Sequence, residues 1–268
     1  MSEDKQQKTY RGRIAPTPSG YLHEGHASTF KVAWSRARER NGDIVYRNDD
    51  LDKLRCRSEF AQAAMQDLKS LKINWDEGPD CGGKYGPYNQ SERADEYTAI
   101  LLKLAKEGFV YPCEKSRKDI QAFGKKATVG NEYLFPQELC PVQRQYIKSE
   151  VDLNTNWRFR TQWNQEIYFI DKRKGKQKFE IGKDFSDFLV WRKDGIASYE
   201  LATVVDDHLM KITEIVRGED LLISSARQST LFDALNWGRP DFYHSELLVD
   251  MNGKKLSKSE RNLPRLIP

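Results

Sequence analysis

Two short polar segments near opposite ends of the 268-residue chain carry side chains that could bind phosphate. The first contains His23 and His26, which follow an apolar stretch broken by two prolines and a glycine and precede an amphipathic pattern. This order predicts a strand, a loop and the first turn of a helix, where backbone N–H groups and the helix dipole favour an anion. The second contains Lys255, Ser257 and Lys258 after a glycine, and lysines on such a loop can meet phosphate oxygens as mobile charges. Together the two segments predict a triphosphate site.

Each segment also has a simpler interpretation. Paired histidines can cap and pack the start of a helix, and a lysine run can be a solvated loop. We favour phosphate binding because the two segments occur in one chain. Glu24 is unexpected beside a triphosphate, since its charge should repel the phosphates unless its side chain points away.

Strand and helix patterns alternate around these segments. Apolar residues recur at helical spacing from 30 to 37, and Asn41-Gly42 is expected to end that helix. The apolar run at 44–46 predicts the next strand, and helical patterns follow at 60–71 and 97–104. Strands alternating with helices of this length predict an α/β fold with a doubly wound parallel sheet.

The middle of the chain differs, because the helical period fades and short alternating runs take over between about 110 and 192. We therefore predict three segments: 1–109 as the first half of an α/β domain, 110–192 as an inserted smaller subdomain, and 193–268 as the second half. The basic run 172–178 is expected to form a hairpin tip, with solvated charge preferred over an RNA contact because no aromatic residue is interleaved. Ser224-Ser225 is expected to cap a later helix.

Composition narrows the possible environments and partners. With 44 Lys and Arg against 40 Asp and Glu, the net charge is +4 and the pI about 8.7, which permits an RNA partner without requiring one. Four widely spread cysteines favour reduced thiols over a disulfide framework. The polar start lacks a secretory signal and no stretch approaches a membrane span, so we expect a cytoplasmic protein without a membrane partner, and a monomer by default.

The two signature segments resemble the HIGH and KMSKS motifs of the class I aminoacyl-tRNA synthetases. The segments that resemble the glutamyl branch of that family are 13–20, 47–52, 199–208 and 215–220. The resemblance implies a Rossmann-type catalytic domain with an inserted, acceptor-binding-like subdomain. It also implies binding of ATP with Mg²⁺ by His23, Gly25, His26, Lys255, Ser257 and Lys258, with His23, His26 and Lys258 acting in catalysis.

The same resemblance implies a pocket for L-glutamate formed by Arg13, Ala15, Thr17, Asp49, Tyr199, Thr203 and Arg217. Such a pocket needs a cation for the side-chain carboxylate and an anion for the ammonium, which Arg and Asp can supply. Relatives normally have Glu at the position of Asp49, so the charge is kept but displaced by one methylene. The alternative for Arg13 and Arg217 is a structural salt bridge.

A zinc pattern of the family is incomplete in this chain. Cys113, Tyr133 and Cys140 match three of its ligand positions, but Lys115 stands where the family has a second Cys. A protonated lysine cannot bind zinc and the remaining ligands do not complete a tetrahedral site. We therefore expect free cysteines and no zinc.

Nine residues follow Ser259 in this sequence, so we expect it to lack the anticodon-binding domain of a full glutamyl-tRNA synthetase. This resembles the truncated glutamyl-Q tRNA(Asp) synthetase family, and implies activation of glutamate by ATP and transfer to queuosine in the anticodon loop of tRNA(Asp). Three alternatives stay open: a glutamyl-tRNA synthetase fragment that charges a tRNA 3′ end, a non-catalytic RNA-binding relative, and an enzyme that passes activated glutamate to a non-RNA acceptor.

Overall fold

The computed structural model describes residues 9–130, 132–142 and 151–247, and the chain divides into two compact units. Unit 1 comprises the described residues of 1–92, 209–219 and 240–268, and unit 2 those of 93–208 and 220–239. The described elements in chain order are β1 (Arg11–Ile14), α1 (Glu24–Arg38), β2 (Asp43–Tyr46), α2 (Ser58–Ser70), α3 (Ala94–Lys106), β3 (Val110–Pro112), α4 (Arg117–Ala122), β4 (Trp157–Phe159), β5 (Glu166–Asp171), β6 (Gly175–Glu180), β7 (Phe188–Arg192), β8 (Ile196–Ala197), α5 (Tyr199–Leu209), β9 (Glu214–Gly218), α6 (Leu222–Ala234) and β10 (Asp241–Ser245).

Unit 1 is built on parallel strands. β1 pairs in parallel with β2, and β9 pairs in parallel with β10. The N–H of Thr213 donates to the carbonyl of Arg11 at 2.8 Å, and Arg13 contacts Val216 further along, so β1 and β9 run in the same direction. This arrangement confirms the predicted α/β fold with a parallel sheet.

The helices of unit 1 pack closely on these strands. Ala33 and Ala37, one turn apart on α1, join a buried apolar cluster that also contains Ile14, Ile44 and Leu68. Their small side chains let the helix approach the strands closely. The apolar faces of α1 and α2 are therefore buried against the parallel strands of unit 1.

The predicted end of α1 is confirmed. The helix stops at Arg38, and Asn41 then adopts a left-handed backbone with φ of 49°. The N–H of Gly42 donates to the carbonyl of Ala37 at 2.9 Å, and a Cβ at Gly42 would lie 2.4 Å from the carbonyl oxygen of Tyr10. Glycine is required there because the chain turns against its neighbour without room for a side chain.

An ion pair between the half-buried Arg36 and the buried Glu214 links α1 to β9. Arg36 donates through Nε and Nη2 to the two carboxylate oxygens of Glu214 at 2.5 and 2.8 Å, and the Tyr10 hydroxyl donates to Oε1 at 2.8 Å. Burial opposes ionisation of Glu214, but the hydrogen bonds from Arg36 and Tyr10 outweigh it and lower the pKa of Glu214 below its ordinary value of 4.5.

Unit 2 combines helices with antiparallel strands. One of its sheets has the order β3-β4-β7-β8, and β5 pairs antiparallel with β6. Arg93 donates to Asp206 of α5 at 2.7 Å, and the Tyr97 hydroxyl of α3 bonds the same carboxylate, so a buried charge joins these helices. Among the described residues, no helix is long and apolar enough to cross a membrane.

Two local predictions for unit 2 need correction. The hairpin expected near 172–178 is present, but β6 begins at Gly175, so only residues 172–174 form the turn and Lys176 and Lys178 lie within a strand. The predicted Ser224-Ser225 cap is wrong, because α6 begins at Leu222 and both serines are buried inside it. The Ser225 hydroxyl does not cap the helix but donates to the carbonyl of Leu221, one turn earlier, at 3.2 Å.

Replacing Glu214 by Gln should lower the free energy of unfolding by about 2 kcal/mol at neutral pH, because it leaves the half-buried Arg36 without a charged partner. Because the pKa of Glu214 is lower in the folded than in the unfolded protein, its ionisation stabilises the folded state at pH values above the unfolded-state pKa. This stabilisation is lost as the pH falls through the folded-state pKa. The difference between the two proteins should therefore shrink as the pH drops below 4.5. Chemical denaturation across this range measures it.

Glu59→Gln is the matched control, since Glu59 pairs with Arg57 at an exposed site of the same unit. Its effect should stay below about 1 kcal/mol. Equal stability losses in both variants would show that burial of the Arg36–Glu214 pair does not matter.

Candidate active site

Helix α1 begins directly after His23, and both predicted phosphate-binding histidines take part in its first turn. His23 is the N-cap residue, and its Nδ1 accepts a hydrogen bond from the N–H of Gly25 at 3.1 Å. Nδ1 of His26 accepts from the N–H of His23 at 3.3 Å, and the two ring centroids are 3.7 Å apart. The histidines therefore cap the helix, as their simpler interpretation requires.

The capping bonds also determine which ring nitrogen carries the proton. Because Nδ1 of each imidazole accepts, the neutral ring has its proton on Nε2. Each histidine can then donate through Nε2–H to a phosphate oxygen beside the helix start, where the dipole favours negative charge. Capping and phosphate binding use opposite nitrogens of the ring and are compatible.

Gly25 allows the two rings to sit where they do. A Cβ at this position would lie 3.0 Å from Cε1 and 3.1 Å from Nδ1 of His23, so a side chain would displace the capping ring. Glu24 is exposed in the first turn, where the helix dipole favours its charge. Glu24 is thus exposed to solvent, whereas the adjacent His23 is buried.

Two buried arginines lie near the carboxyl ends of neighbouring strands of unit 1. Arg13 is on β1 and donates through Nη1 to the carbonyl of Val216 at 2.7 Å. Arg217 is on β9, with its guanidinium 5.5 Å from the ring centroid of Phe242. Ligands of parallel sheets bind at this edge, and guanidinium groups match carboxylate geometry. The arrangement is suited to an anionic ligand.

Asp49 is held beside the loop that follows β1. Its N–H donates to the carbonyl of Pro16 at 3.0 Å, and the half-buried Ala15 and Thr17 flank that buried proline. Arg47, which is fully buried, donates through Nε to Oδ1 of Asp49 at 2.7 Å. A bound ammonium would therefore share the carboxylate with Arg47.

Tyr199 and Thr203 belong to unit 2. Tyr199 is the first residue of α5 and is exposed, while Thr203 lies one turn later on the same helix face and is buried. Among the described residues, no hydrogen-bond partner is found for Oγ1 of Thr203. Between them, Glu200 accepts from Nε2 of Gln228 at 2.8 Å, which anchors α5 to α6.

The predicted site residues thus fall into three groups. Unit 1 holds Arg13, Ala15, Thr17, Asp49 and Arg217 at or just beyond the ends of parallel strands, and His23, Gly25 and His26 at the start of α1. Unit 2 holds Tyr199 and Thr203. Lys255, Ser257 and Lys258 lie outside the described residues.

Arg47 is a residue that sequence reasoning did not single out. It follows β2 directly and its charge is buried against Asp49. Nearby, Nδ2 of Asn48 donates to Oδ1 of Asn89 at 2.8 Å, and Ser91 donates through its N–H and hydroxyl to Asp50 at 2.9 and 2.7 Å. The available signal was four polar residues in a row immediately after an apolar strand.

The incomplete zinc pattern lies in unit 2. Cys113 is buried in a small apolar cluster beside Tyr133 and Cys140. The Cys140 thiol donates to Oδ2 of Asp187 at 3.2 Å, and burial followed by the charge of Asp187 raises the pKa of this thiol to about 12. Zinc requires a thiolate. No cluster of three or more His, Cys, Asp or Glu side chains suited to a metal occurs in the part of the chain that the structure describes, and the absence of zinc stays a prediction.

Comparison with known proteins identifies the family. Residues 9–266 match the family described as tRNA synthetases class I (E and Q), catalytic domain, and the chain belongs to it. Its members are enzymes of the aminoacyl-tRNA ligase class, which agrees with the motifs and the parallel sheet of unit 1.

Individual relatives are consistent with this assignment. The chain is 42% identical to the Glutamyl-Q tRNA(Asp) synthetase of Symbiobacterium thermophilum over 92% of its own length and 77% of the relative. It is 35% identical to the glutamate–tRNA ligase of Listeria welshimeri over its full length, but spans only 54% of that protein. The glutamate-tRNA synthetase of Elizabethkingia anophelis superposes with a TM-score of 0.80 at 29% identity, covering 94% of this chain and 53% of that one.

Replacing His23 by Asn should separate the two roles of this residue. Asn is among the best N-cap residues, so stability should change by less than about 1 kcal/mol. The Nε2–H donor is lost, however, and glutamate-dependent ATP–pyrophosphate exchange should slow on the order of a hundredfold. Thermal unfolding and exchange rates, measured together with Glu24→Gln as the neighbouring control, check this. Exchange at the parent rate would show that His23 only caps the helix.

Proposed function

We propose that the chain activates L-glutamate with ATP and transfers the glutamyl group to queuosine in the anticodon loop of tRNA(Asp). One observation carries this proposal. Unit 1 contains both the buried Arg13 and Arg217 and the His23–His26 pair that caps α1. The similarity to a relative named Glutamyl-Q tRNA(Asp) synthetase supports the choice of substrates.

Glutamate recognition follows from its charges. The side-chain carboxylate needs a fixed cation, which Arg13 or Arg217 can supply with two parallel hydrogen bonds. The ammonium needs an anion, and Asp49 is held for this role by Arg47 and by the loop at Pro16. We propose that Ala15 and Thr17 line the glutamate site of unit 1. The glutamate-binding roles that the family resemblance implies for Tyr199 and Thr203 stay predictions. The α-carboxylate would then be left to react.

In the activation step, an oxygen of the glutamate α-carboxylate attacks the α-phosphorus of ATP. The bond from that phosphorus to the bridging oxygen breaks, and pyrophosphate leaves with the electron pair. His23 and His26 would donate through Nε2–H to phosphate oxygens as charge develops there. Gly25 keeps the backbone close to the rings. The protein contributes position and neutralisation rather than covalent chemistry.

The second signature would complete the ATP site. We propose that Lys255, Ser257 and Lys258 contact the triphosphate, with Lys258 acting chiefly in the transition state. ATP would enter as its Mg²⁺ complex, because Mg²⁺ is commonly held by substrate phosphates. ATP, glutamate and tRNA are available in the cytoplasm, which supports a cytoplasmic location for the protein.

In the transfer step, a hydroxyl of the RNA acceptor attacks the carbonyl of glutamyl-adenylate. The bond between the acyl carbon and the phosphate oxygen breaks, AMP leaves with the electron pair, the hydroxyl proton passes to the departing phosphate, and an ester forms. We propose that the segment 110–192 works as an inserted acceptor-binding subdomain between the catalytic halves 1–109 and 193–268. The antiparallel strands β3, β4 and β7 of this segment, unlike the parallel strands of unit 1, support a separate subdomain, but the compact unit that contains them is wider and comprises 93–208 and 220–239.

A second candidate is the charging of a tRNA 3′ end. It is favoured by the match of the whole chain to a glutamate–tRNA ligase. The two candidates differ in the acceptor nucleotide. Queuosine-containing tRNA(Asp) from which the 3′-terminal adenosine has been removed keeps the first acceptor and lacks the second. Transfer of labelled glutamate to this truncated tRNA supports queuosine, whereas transfer only to tRNA(Glu) with an intact 3′ end supports the alternative.

Activation should be specific for glutamate and independent of tRNA. Glutamine should be rejected on the order of a hundredfold, because it would leave a buried guanidinium without its charged partner. ATP–pyrophosphate exchange with each of the standard amino acids, with and without tRNA, measures both properties. Equal exchange with glutamine, or exchange that appears only when tRNA is added, would contradict the assignment.

A further inference from the structure

The β5–β6 hairpin of unit 2 presents an exposed face that the linear sequence conceals. The strands pair antiparallel with Tyr168 directly opposite Lys178 and Ile170 directly opposite Lys176. Because side chains alternate along a strand, these four residues share one face. All four are exposed, Tyr168 to 38% and Ile170 to 60%.

The ammonium groups of both lysines lie over the aromatic ring of Tyr168 as cation–π contacts. Nζ of Lys176 lies 4.6 Å from the ring centroid of Tyr168, and Nζ of Lys178 lies 5.9 Å from it. Lys178 also pairs with Glu166, which accepts a hydrogen bond from the Tyr168 hydroxyl. Lys176 is therefore the cation on this face best placed to meet another negative group.

The opposite face fixes this platform to the unit. Phe169 and Phe179 are buried and their rings stack with centroids 5.9 Å apart. The carbonyl of Tyr168 accepts from Nη1 of Arg239 at 2.8 Å, and the buried Asp171 accepts from the N–H groups of the turn at Arg173 and Lys174. The exposed ring is thus carried by a well-anchored strand pair.

We propose that this face, formed by Tyr168, Ile170, Lys176 and Lys178, binds a single-stranded segment of RNA. An unpaired base stacks on Tyr168 beside Ile170, and the lysines contact the flanking phosphates. Aromatic rings interleaved with basic residues are the chemistry that recognises unpaired nucleotides. Further positive charge in the adjoining turn at Lys172 and Lys174 extends the complementarity to a phosphate backbone. The proposal deepens the proposed function, on which it rests for the identity of the RNA.

The first test compares Tyr168→Ala with Tyr168→Phe. Binding of unfractionated tRNA, measured by fluorescence anisotropy without ATP or glutamate, should weaken on the order of tenfold or more in the alanine variant. The phenylalanine variant keeps a stacking ring and should bind within about twofold of the parent. Parent-like binding by Tyr168→Ala, or no tRNA binding by the parent protein, overturns the proposal.

The second test addresses the phosphates and does not depend on the ring. Lys176→Ala should weaken tRNA binding and reduce the slope of log affinity against log salt by about 0.7, the value for one phosphate contact on a single strand. Lys103→Ala, which removes an exposed lysine of α3 in the same unit, is the control of equal charge and should leave both quantities unchanged. Equal effects of the two substitutions would show a general charge effect and overturn the site.

Duplex RNA without loops should compete weakly with tRNA. Equal competition would show that bases are not recognised and would overturn stacking. Thermal unfolding shows whether each variant is folded. If Tyr168→Ala does not fold, the comparison of Lys176→Ala with Lys103→Ala tests the proposed RNA site. Since binding is measured without ATP or glutamate, a failure of glutamate activation leaves these results in place.

Discussion

The parallel alignment of β1 with β2 and β9 determines which residues of unit 1 can meet. Because the strands run in one direction, their carboxyl ends and the loops that follow lie at a common edge. Arg13, Arg217 and Asp49 reach that edge from three separate strands or their extensions. A change of direction in any one of these strands would remove its charge from the group. The same β1 leads through the loop at Thr17 to the helix start at His23.

Burying this many charged groups is expensive, and the contacts of unit 1 show how the cost is offset. Arg47 is paired with Asp49, Arg36 with Glu214, and Arg13 donates to a backbone carbonyl. Each is a hydrogen-bonded contact that replaces lost water. The charged groups of unit 1 are therefore held by ion pairs and hydrogen bonds. A ligand carboxylate would add a further negative partner without displacing this framework.

The sequence predicted those features that depend on local chemistry. The spacing of His23 and His26 after a broken apolar run predicted a helix start, and Asn41-Gly42 predicted the helix end. Contacts that depend on register were not predictable in this way. The pairing of Arg47 with Asp49 is visible only in the structure. Tyr168 meets Lys176 and Lys178 only because β5 and β6 pair side by side. Ser224 and Ser225 were misassigned because a buried serine inside a helix and a capping serine look alike in sequence.

We propose that the histidine pair and the Lys258 segment act together on ATP bound beside glutamate. Single-turnover formation of glutamyl-adenylate without RNA, measured together with glutamate binding for the parent protein and Lys258→Ala, tests this joint action. We expect unchanged glutamate affinity and adenylate formation slowed on the order of a hundredfold to a thousandfold, since the interaction is made in the transition state. Adenylate formation by Lys258→Ala at the parent rate would contradict it.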